Sequence, residues 1–264
     1  MTRAVPRSTL ALATRALAAA AVLAAAASPA SADDDARAIL KSMSDYLASQ
    51  NNLSARFDVD LDVITPEIER ISYSASGELA LARPDKLHVQ RTGGYSDVEL
   101  VFDGKTATVF DRFHKTYSQV PAPGSVDQLI DLLRTKYMFE MPGADLLLTR
   151  SYDELMSGVI EAKHIGEGVI NGEECEHLAF RNVDTDWQLW VRKGAQPLPC
   201  KYVITSKMVA GGPQYAVTLH DWKTGAAPAT AFSFNAPAGA KSVALDAMSS
   251  IGELPAPAQA GAKP

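Results

Sequence analysis

The sequence predicts a mainly β fold of the α+β type, one strongly curved antiparallel sheet of about 11–12 strands with helices covering its concave face. Three observations predict it. Apolar and polar residues alternate in many short runs between Leu53 and Trp222. The runs are joined by short connections, among them the turn pairs Asp103-Gly104 and Asn171-Gly172, which implies antiparallel neighbours. The alternation is interrupted once, between Ser125 and Gly158, by apolar residues at helical spacing.

Composition narrows the class before any motif does. The 264 residues are 47% hydrophobic and 21% charged, values of a globular chain rather than a disordered or multi-span membrane one. Twenty-five Lys+Arg against 31 Asp+Glu gives a net charge of -6, the wrong sign for a protein that neutralises nucleic-acid phosphates.

The first 32 residues carry Arg3, Arg7 and Arg15 and no acid, run through Ala, Val and Leu from Ala16 to Ala27, and end in Ala30-Ser31-Ala32. This is the pattern of a secretory signal peptide, with cleavage expected after Ala32 and a periplasmic destination. The apolar run is too short to span a bilayer, and no later run is longer, so the chain is not expected to span the membrane. Removing the three arginines leaves 22 basic residues against 31 acidic ones, a net charge of -9 for residues 33–264. A domain over 33–246 is expected, with a helical lid at about 124–158, followed by a flexible Pro/Ala-rich tail over 247–264.

Within that span, 35–50 places Ile39, Met43, Tyr46 and Leu47 at helical spacing behind Asp33-Asp34-Asp35, which suits a helix N-terminus. The period then changes to two. Phe57, Val59, Leu61 and Val63 alternate with Asp58, Asp60 and Asp62, a strand with one apolar and one acidic face. Further strands are expected at 68–82, 86–92, 98–102, 106–110 and 116–120. The insert follows, with one helix opening on Ser-x-x-Gln at Ser125 and another on Ser-x-x-Glu at Ser151. Strands resume at 159–169, 173–181, 187–191, 201–206, 215–222 and around 232–234.

Motifs that resemble chemical sites mostly have plainer explanations. Asp58-x-Asp60-x-Asp62 with Glu69 has calcium-loop spacing, but Val63 stands where that loop needs glycine, Pro66 falls inside, and the flanks are strands. Gly166-Glu167-Gly168 lacks the third glycine and the following helix of a dinucleotide site. His88, His114, His164, His177 and His220 are scattered, and Cys175 with His177 makes only two ligands. No catalytic residue, cofactor or metal is therefore expected, and the chain reads as a non-enzyme. Cys175 and Cys200 could close a loop worth on the order of 3 kcal/mol. If their strands flank a third, the backbones lie about 9–10 Å apart, beyond disulfide reach. The pair forms only if the turn at 194–199 folds Cys200 back around the strand end.

What remains is an apolar set larger than two short helices need for their own packing. Leu133, Tyr137, Met138, Phe139, Met141, Leu147, Tyr152, Leu155 and Met156 of the insert, with Phe57, Val59, Leu61, Trp187 and Trp190 of the strands, are the candidate lining of an apolar ligand cavity between sheet and lid. The connection at 138–144, with Pro142-Gly143, is the candidate hinge.

A family resemblance points the same way. Gly77-Glu78-Leu79-Ala80-Leu81-Ala82-Arg83-Pro84-Asp85-Lys86-Leu87, then Phe102-Asp103-Gly104-Lys105, then Asn171-Gly172 through Cys175-Glu176-His177-Leu178-Ala179-Phe180, resemble an uncharacterised family of predicted periplasmic proteins. Asp186-Trp187-Gln188-Leu189-Trp190 and Pro197-Leu198-Pro199-Cys200-Lys201-Tyr202-Val203-Ile204-Thr205 add to the match, which covers most of 36–240. That family is similar to the lipoprotein localisation factor (LolA/LolB-like) superfamily. The resemblance implies an unclosed antiparallel half-barrel with helices plugging the concave side and a cavity for acyl chains. The expected function is periplasmic binding of lipid or lipoprotein acyl chains, as carrier or sensor, with a lipid or an acylated protein as partner. The alternative is an interaction module that binds another envelope protein through the acidic strand face or a sheet edge, and it predicts a small, filled interior.

Overall fold

In a computed structural model of the chain, residues 1, 32–139, 141–248, 251, 252 and 254 are described. Of the signal peptide expected over 1–32, residues 2–31 lie outside the described residues. The elements are α1 (Ala32–Ser49), β1 (Asn52–Ile64), β2 (Arg70–Ala82), β3 (Lys86–Gly93), β4 (Asp97–Phe102), β5 (Thr106–Asp111) and β6 (Thr116–Pro121). Then come α2 (Val126–Thr135), a 3-10 turn (Ala144–Leu147) and the short α3 (Ser151–Leu155). After these follow β7 (Glu161–Ile170), β8 (Glu173–Arg181), β9 (Thr185–Arg192), β10 (Pro199–Ser206) and β11 (Gln214–Lys223). A 3-10 turn (Ala229–Phe232), β12 (Lys241–Ser242) and a last 3-10 turn (Leu245–Ala247) end the described elements.

All twelve strands belong to one open sheet, in the order β12-β6-β5-β4-β3-β2-β1-β11-β10-β9-β8-β7. It is a mostly β, unclosed and curved sheet, antiparallel throughout except that two-residue β12 runs parallel to β6. The period-two pattern sets the faces. On β1, Leu53, Ala55, Phe57 and Val59 are buried, while the intervening Arg56, Asp58 and Asp60 are exposed. The hairpin turns have the geometry their residues demand. Asn171 and Gly172 sit at φ 50° and 83°, the paired positive angles of a type I′ turn. Asp103 Oδ1 accepts the backbone N–H groups of Lys105 and Thr106 at 2.9 and 2.8 Å, with Gly104 at φ 93°.

The helices cover the face that carries Phe57 and Val59. In α1 the buried stripe is Ala36, Leu40, Met43 and Leu47, with Ile39 and Tyr46 half-buried at its margin. The capping box at the start of α2 is complete: the Ser125 N–H donates to Gln128 Oε1 at 2.8 Å, and the Gln128 N–H donates to Ser125 Oγ at 3.3 Å. The box expected at Ser151 does not form. Arg150 holds the N-cap position, and Ser151 lies inside α3, buried, its Oγ without a hydrogen-bond partner among the described residues.

One expectation near the C-terminus is corrected. The strand expected around 232–234 is instead the end of a 3-10 turn opened by Pro228, where Phe232 is buried. Next to it Phe234 packs on Phe110 and Tyr117, with ring centroids 5.5 and 5.2 Å apart. Phe110 and Tyr117 point away from Val109, so this segment lies on the face opposite the helices. The tail expected over 247–264 lies mostly outside the described residues; of those described, Met248 is buried in the core and Ile251 packs against it.

Candidate functional site

The sheet order decides where the helical insert must run. β6 lies near one end of the sheet and β7 forms the other, so the segment joining them crosses the concave face from one edge to the other. With strands about 4.8 Å apart, no route along a single edge connects them. The insert is a strap tied at both ends. Side-chain ties hold it internally: Arg134 pairs with Asp145 at 2.6 Å, and Asp127 accepts the Thr149 N–H at 3.1 Å and also its hydroxyl. Arg83 of the β2–β3 turn donates to the Leu147 carbonyl at 2.9 Å, which fastens the strap to the sheet.

Most of the candidate lining residues converge beneath this strap. Phe57, Val59, Leu133, Leu147, Leu155 and Trp187 are buried in the core, and Tyr137, Phe139, Met141, Tyr152 and Met156 pack against it half-buried. Leu61 is half-buried at the loop end of β1. Two residues do not join them. Met138 is 77% exposed at φ 56°, outside the strap rather than under it. Trp190 lies on the opposite face, stacked on His177 at 4.1 Å with the Lys201 ammonium 5.6 Å from its ring centroid. Its distance of three residues from Trp187 places the two rings on opposite sides of a strand.

The space between strap and sheet is filled. Leu40, Met43 and Leu47 of α1 and Val126, Leu129, Ile130 and Leu133 of α2 are each at most 2% exposed. At the loop end of β1, β2 and β3, a void of about 10 Å³ is bounded by Val59, Leu61, Tyr73 and Tyr95 among others, room for at most one water. Beside it the Arg91 guanidinium donates to Ser96 Oγ and to the carbonyls of Ile251 and Gly252, each at 3.2 Å. Burial pushes the neighbouring Tyr215 phenol up to about 12 and holds the Arg91 guanidinium below its usual value. This polar rim escaped the sequence reading because an arginine on an apolar strand face carries no signal of its own.

The acidic strand face is a ladder rather than a metal loop. Asp58, Asp60 and Asp62 accept from Ser76, Ser74 and Ser72 of β2, each at 2.5 Å. Among the described residues no three His, Cys, Asp or Glu side chains converge as a metal group, and no helix is long and apolar enough to cross a membrane.

Cys175 and Cys200 are joined as a disulfide, with Cα atoms 7.1 Å apart. β9 does lie between their strands, but Cys175 faces Arg192, its last residue, and the β9–β10 register shifts between Pro199 and Lys201. The irregularity brings Cys200 back past the end of β9. Next to this bridge, a groove of about 420 Å³ is lined by Asp58, Glu173, Arg192, His220, Asp221 and Trp222 among others, the Trp222 ring also packing against the core.

Fold and site together define a curved-sheet protein whose apolar concave face lies under a helical strap. The chain belongs to a family of predicted periplasmic proteins (DUF2092), whose model matches residues 36–246. No curated protein matches it. Among solved structures it is similar to an uncharacterised conserved protein from Thermus thermophilus, at 13% identity and a TM-score of 0.47, covering 80% of this chain and 99% of that one. It is also similar to LprF from Mycobacterium bovis, at 13% identity and a TM-score of 0.44, covering 80% of this chain and 100% of that one. A LolA superfamily protein from Nitrosomonas europaea matches at 12% identity and a TM-score of 0.36, covering 75% and 97% of the two chains.

Proposed function

We propose that residues 33–246, freed by cleavage after Ala32, form a non-enzymatic periplasmic binder of lipid or lipoprotein acyl chains, with the strap at about 124–158 as its lid. The observation that carries this reading is the strap itself: an element fixed at both sheet edges and packed on an apolar concave face chiefly through apolar side chains can lift at little cost in buried charge. The described conformation is then the closed one. Burying ten methylenes stabilises a complex by about 8 kcal/mol, which offsets part of the burial lost when strap side chains such as Leu129, Ile130 and Leu133 are displaced. The ligand would lie against Phe57, Val59, Leu61 and Trp187, with Tyr137, Phe139, Met141, Tyr152 and Met156 closing over it. Opening is assigned to the 138–144 connection, where Met138 and Gly143 both adopt positive φ.

The filled interior favours a second reading, an interaction module for another envelope protein that never opens. Native mass spectrometry of the protein purified gently from a periplasmic extract, with lipid extraction of any adduct, separates the two. A stoichiometric lipid or acylated peptide supports the binder. A clean unliganded mass that added fatty acids and phospholipids do not change supports the module.

A further inference from the structure

The two rims of the curved sheet differ in what their turns expose. In spatial order along one rim stand the β5–β6, β3–β4, β1–β2, β10–β11 and β8–β9 connections, and then the residue that precedes β7. Each presents a large apolar side chain to solvent: Phe113, Tyr95, Ile68, Met208, Val183 and Ile160, all 53 to 78% exposed. The connections of the opposite rim, at 83–85, 103–105, 171–172 and 193–198, expose none among the described residues. Turn chemistry calls for residues such as Asn171 and Gly172, not for large apolar ones, so it does not account for the row.

Neighbouring tips are tied to one another. Arg70 donates to the Gly211 and Gly212 carbonyls at 2.5 and 3.4 Å, joining the β1–β2 hairpin to the β10–β11 loop. The Lys207 N–H donates to the Asp184 carbonyl at 2.9 Å and its ammonium to the Asn182 carbonyl at 2.5 Å, joining that loop to the β8–β9 turn. The row is also stepped, because residues 70–74 of β2 run past its last pair with β3, Ala75 with Gly93. Charge sets this rim apart as well. In its turns Arg112, Lys115 and Lys207 balance Glu67, Glu69 and Asp184, so the net charge of -9 over residues 33–264 lies elsewhere on the molecule.

We propose that this rim docks the protein on a lipid bilayer surface, its turn side chains entering the interfacial layer with Ile68 and Met208 leading. Three features favour a bilayer over a folded partner. Tips of successive hairpins lie two strands, about 10 Å, apart, so the apolar side chains stand singly and not as the contiguous packed core of a protein interface. A stepped row suits a fluid layer, which closes around each side chain separately. An anionic membrane surface repels the rest of an acidic molecule, which leaves the balanced rim as the end by which it approaches. The inference is independent of the acyl-chain reading, since it needs neither a lifting strap nor a cavity.

Flotation of the protein from a periplasmic extract with vesicles of phosphatidylethanolamine and phosphatidylglycerol tests this. The protein should rise with the vesicles and stay bound in about 0.5 M salt, because the contact is apolar. Uptake of one lipid beneath the strap does not float a protein, so this readout is separate from acyl-chain binding. Ile68→Ser with Met208→Ser should weaken the partition about tenfold, and Phe113→Ser with Val183→Ser, at other turns of the row, severalfold. Val169→Ser, which removes an exposed apolar side chain near the opposite end of β7, should leave it unchanged. All five side chains are exposed, so each variant should keep the parent Tm. A protein that does not float, or that loses flotation equally with Val169→Ser, would overturn the assignment. A soluble dimer that Ile68→Ser with Met208→Ser dissociates in sedimentation velocity would overturn it too, by making a second copy the occupant of the rim.

Discussion

Replacing Gly77 by alanine tests how the concave face is built. Gly77 of β2 lies directly opposite Phe57 of β1, and a Cβ placed on it would stand 2.3 Å from Phe57 Cζ and 2.4 Å from the Gln90 carbonyl oxygen. The ring could swing away, but the carbonyl belongs to the backbone of β3 and is held in the β2–β3 ladder. Relieving the contact therefore requires either a shift of β3 or expulsion of Phe57 from the core. Overpacking of this kind costs typically about 1–3 kcal/mol. Against it stands the lower unfolded-state entropy of alanine, worth about 0.4–1 kcal/mol in favour of the variant. The net expectation is a loss of about 1.3 kcal/mol, or roughly 3–5 °C in Tm for a domain of this size. Thermal and urea unfolding of Gly77→Ala, alone and with Phe57→Leu, provide the assay. The second substitution should recover part of the loss, a coupling visible in a double-mutant cycle. An unchanged or raised Tm for Gly77→Ala would refute the reasoning, because it would mean that entropy alone governs the position.

Three further outcomes follow from separate parts of the molecule. Replacing both Cys175 and Cys200 by serine removes a cross-link between residues 25 apart and should cost about 3.5 kcal/mol by loop entropy, read as a lower urea midpoint that reductant reproduces in the parent protein. The Glu99 carboxyl is held below its ordinary 4.5 chiefly by the hydrogen bond with His88, with the Arg112 charge adding to it against the effect of burial. A carboxyl depressed in the folded state stabilises above its ordinary value, and that contribution is lost as pH falls from about 4.5 through the folded value. Tm measured from about pH 3 to 7 should drop on this acid limb, and Glu99→Gln should flatten the drop. Gly143→Ala places a side chain at φ 85° in the strap connection, where its Cβ meets only Val217 Cγ1 at 3.7 Å, so backbone strain is the sole perturbation. It should slow loading and release of a fluorescent fatty acid in stopped-flow traces, and unchanged rates would remove the hinge from the 138–144 connection.

The strands and the cap of α2 were legible because their signals are local. Alternation at Phe57 to Val63, the Asn171-Gly172 pair and the Ser125 box each fix a few residues by their own chemistry. The order of the strands is not local, and no run of residues announces that β6 and β7 lie at distant ends of the sheet. The disulfide stayed open for the same reason, since it depends on an irregularity at Cys200 that periodicity does not show. The face of Trp190 was readable, because an odd spacing from Trp187 already separates the two rings. Phe232 and Phe234 resembled a strand by alternation, yet Pro228 and Pro237 leave only a short piece between them, which packs as a strap instead. The composition of an apolar lining could not tell a cavity from a filled core, since the same leucines serve both.

The acyl-chain account stands or falls on whether the strap lifts for a ligand. Native mass spectrometry of the protein from a periplasmic extract, followed by lipid extraction, measures this most directly. The account predicts a stoichiometric adduct that extraction releases as a lipid or an acylated peptide. A homogeneous unliganded mass, unaltered by added fatty acids and phospholipids, would contradict it and leave the filled core as a purely structural one.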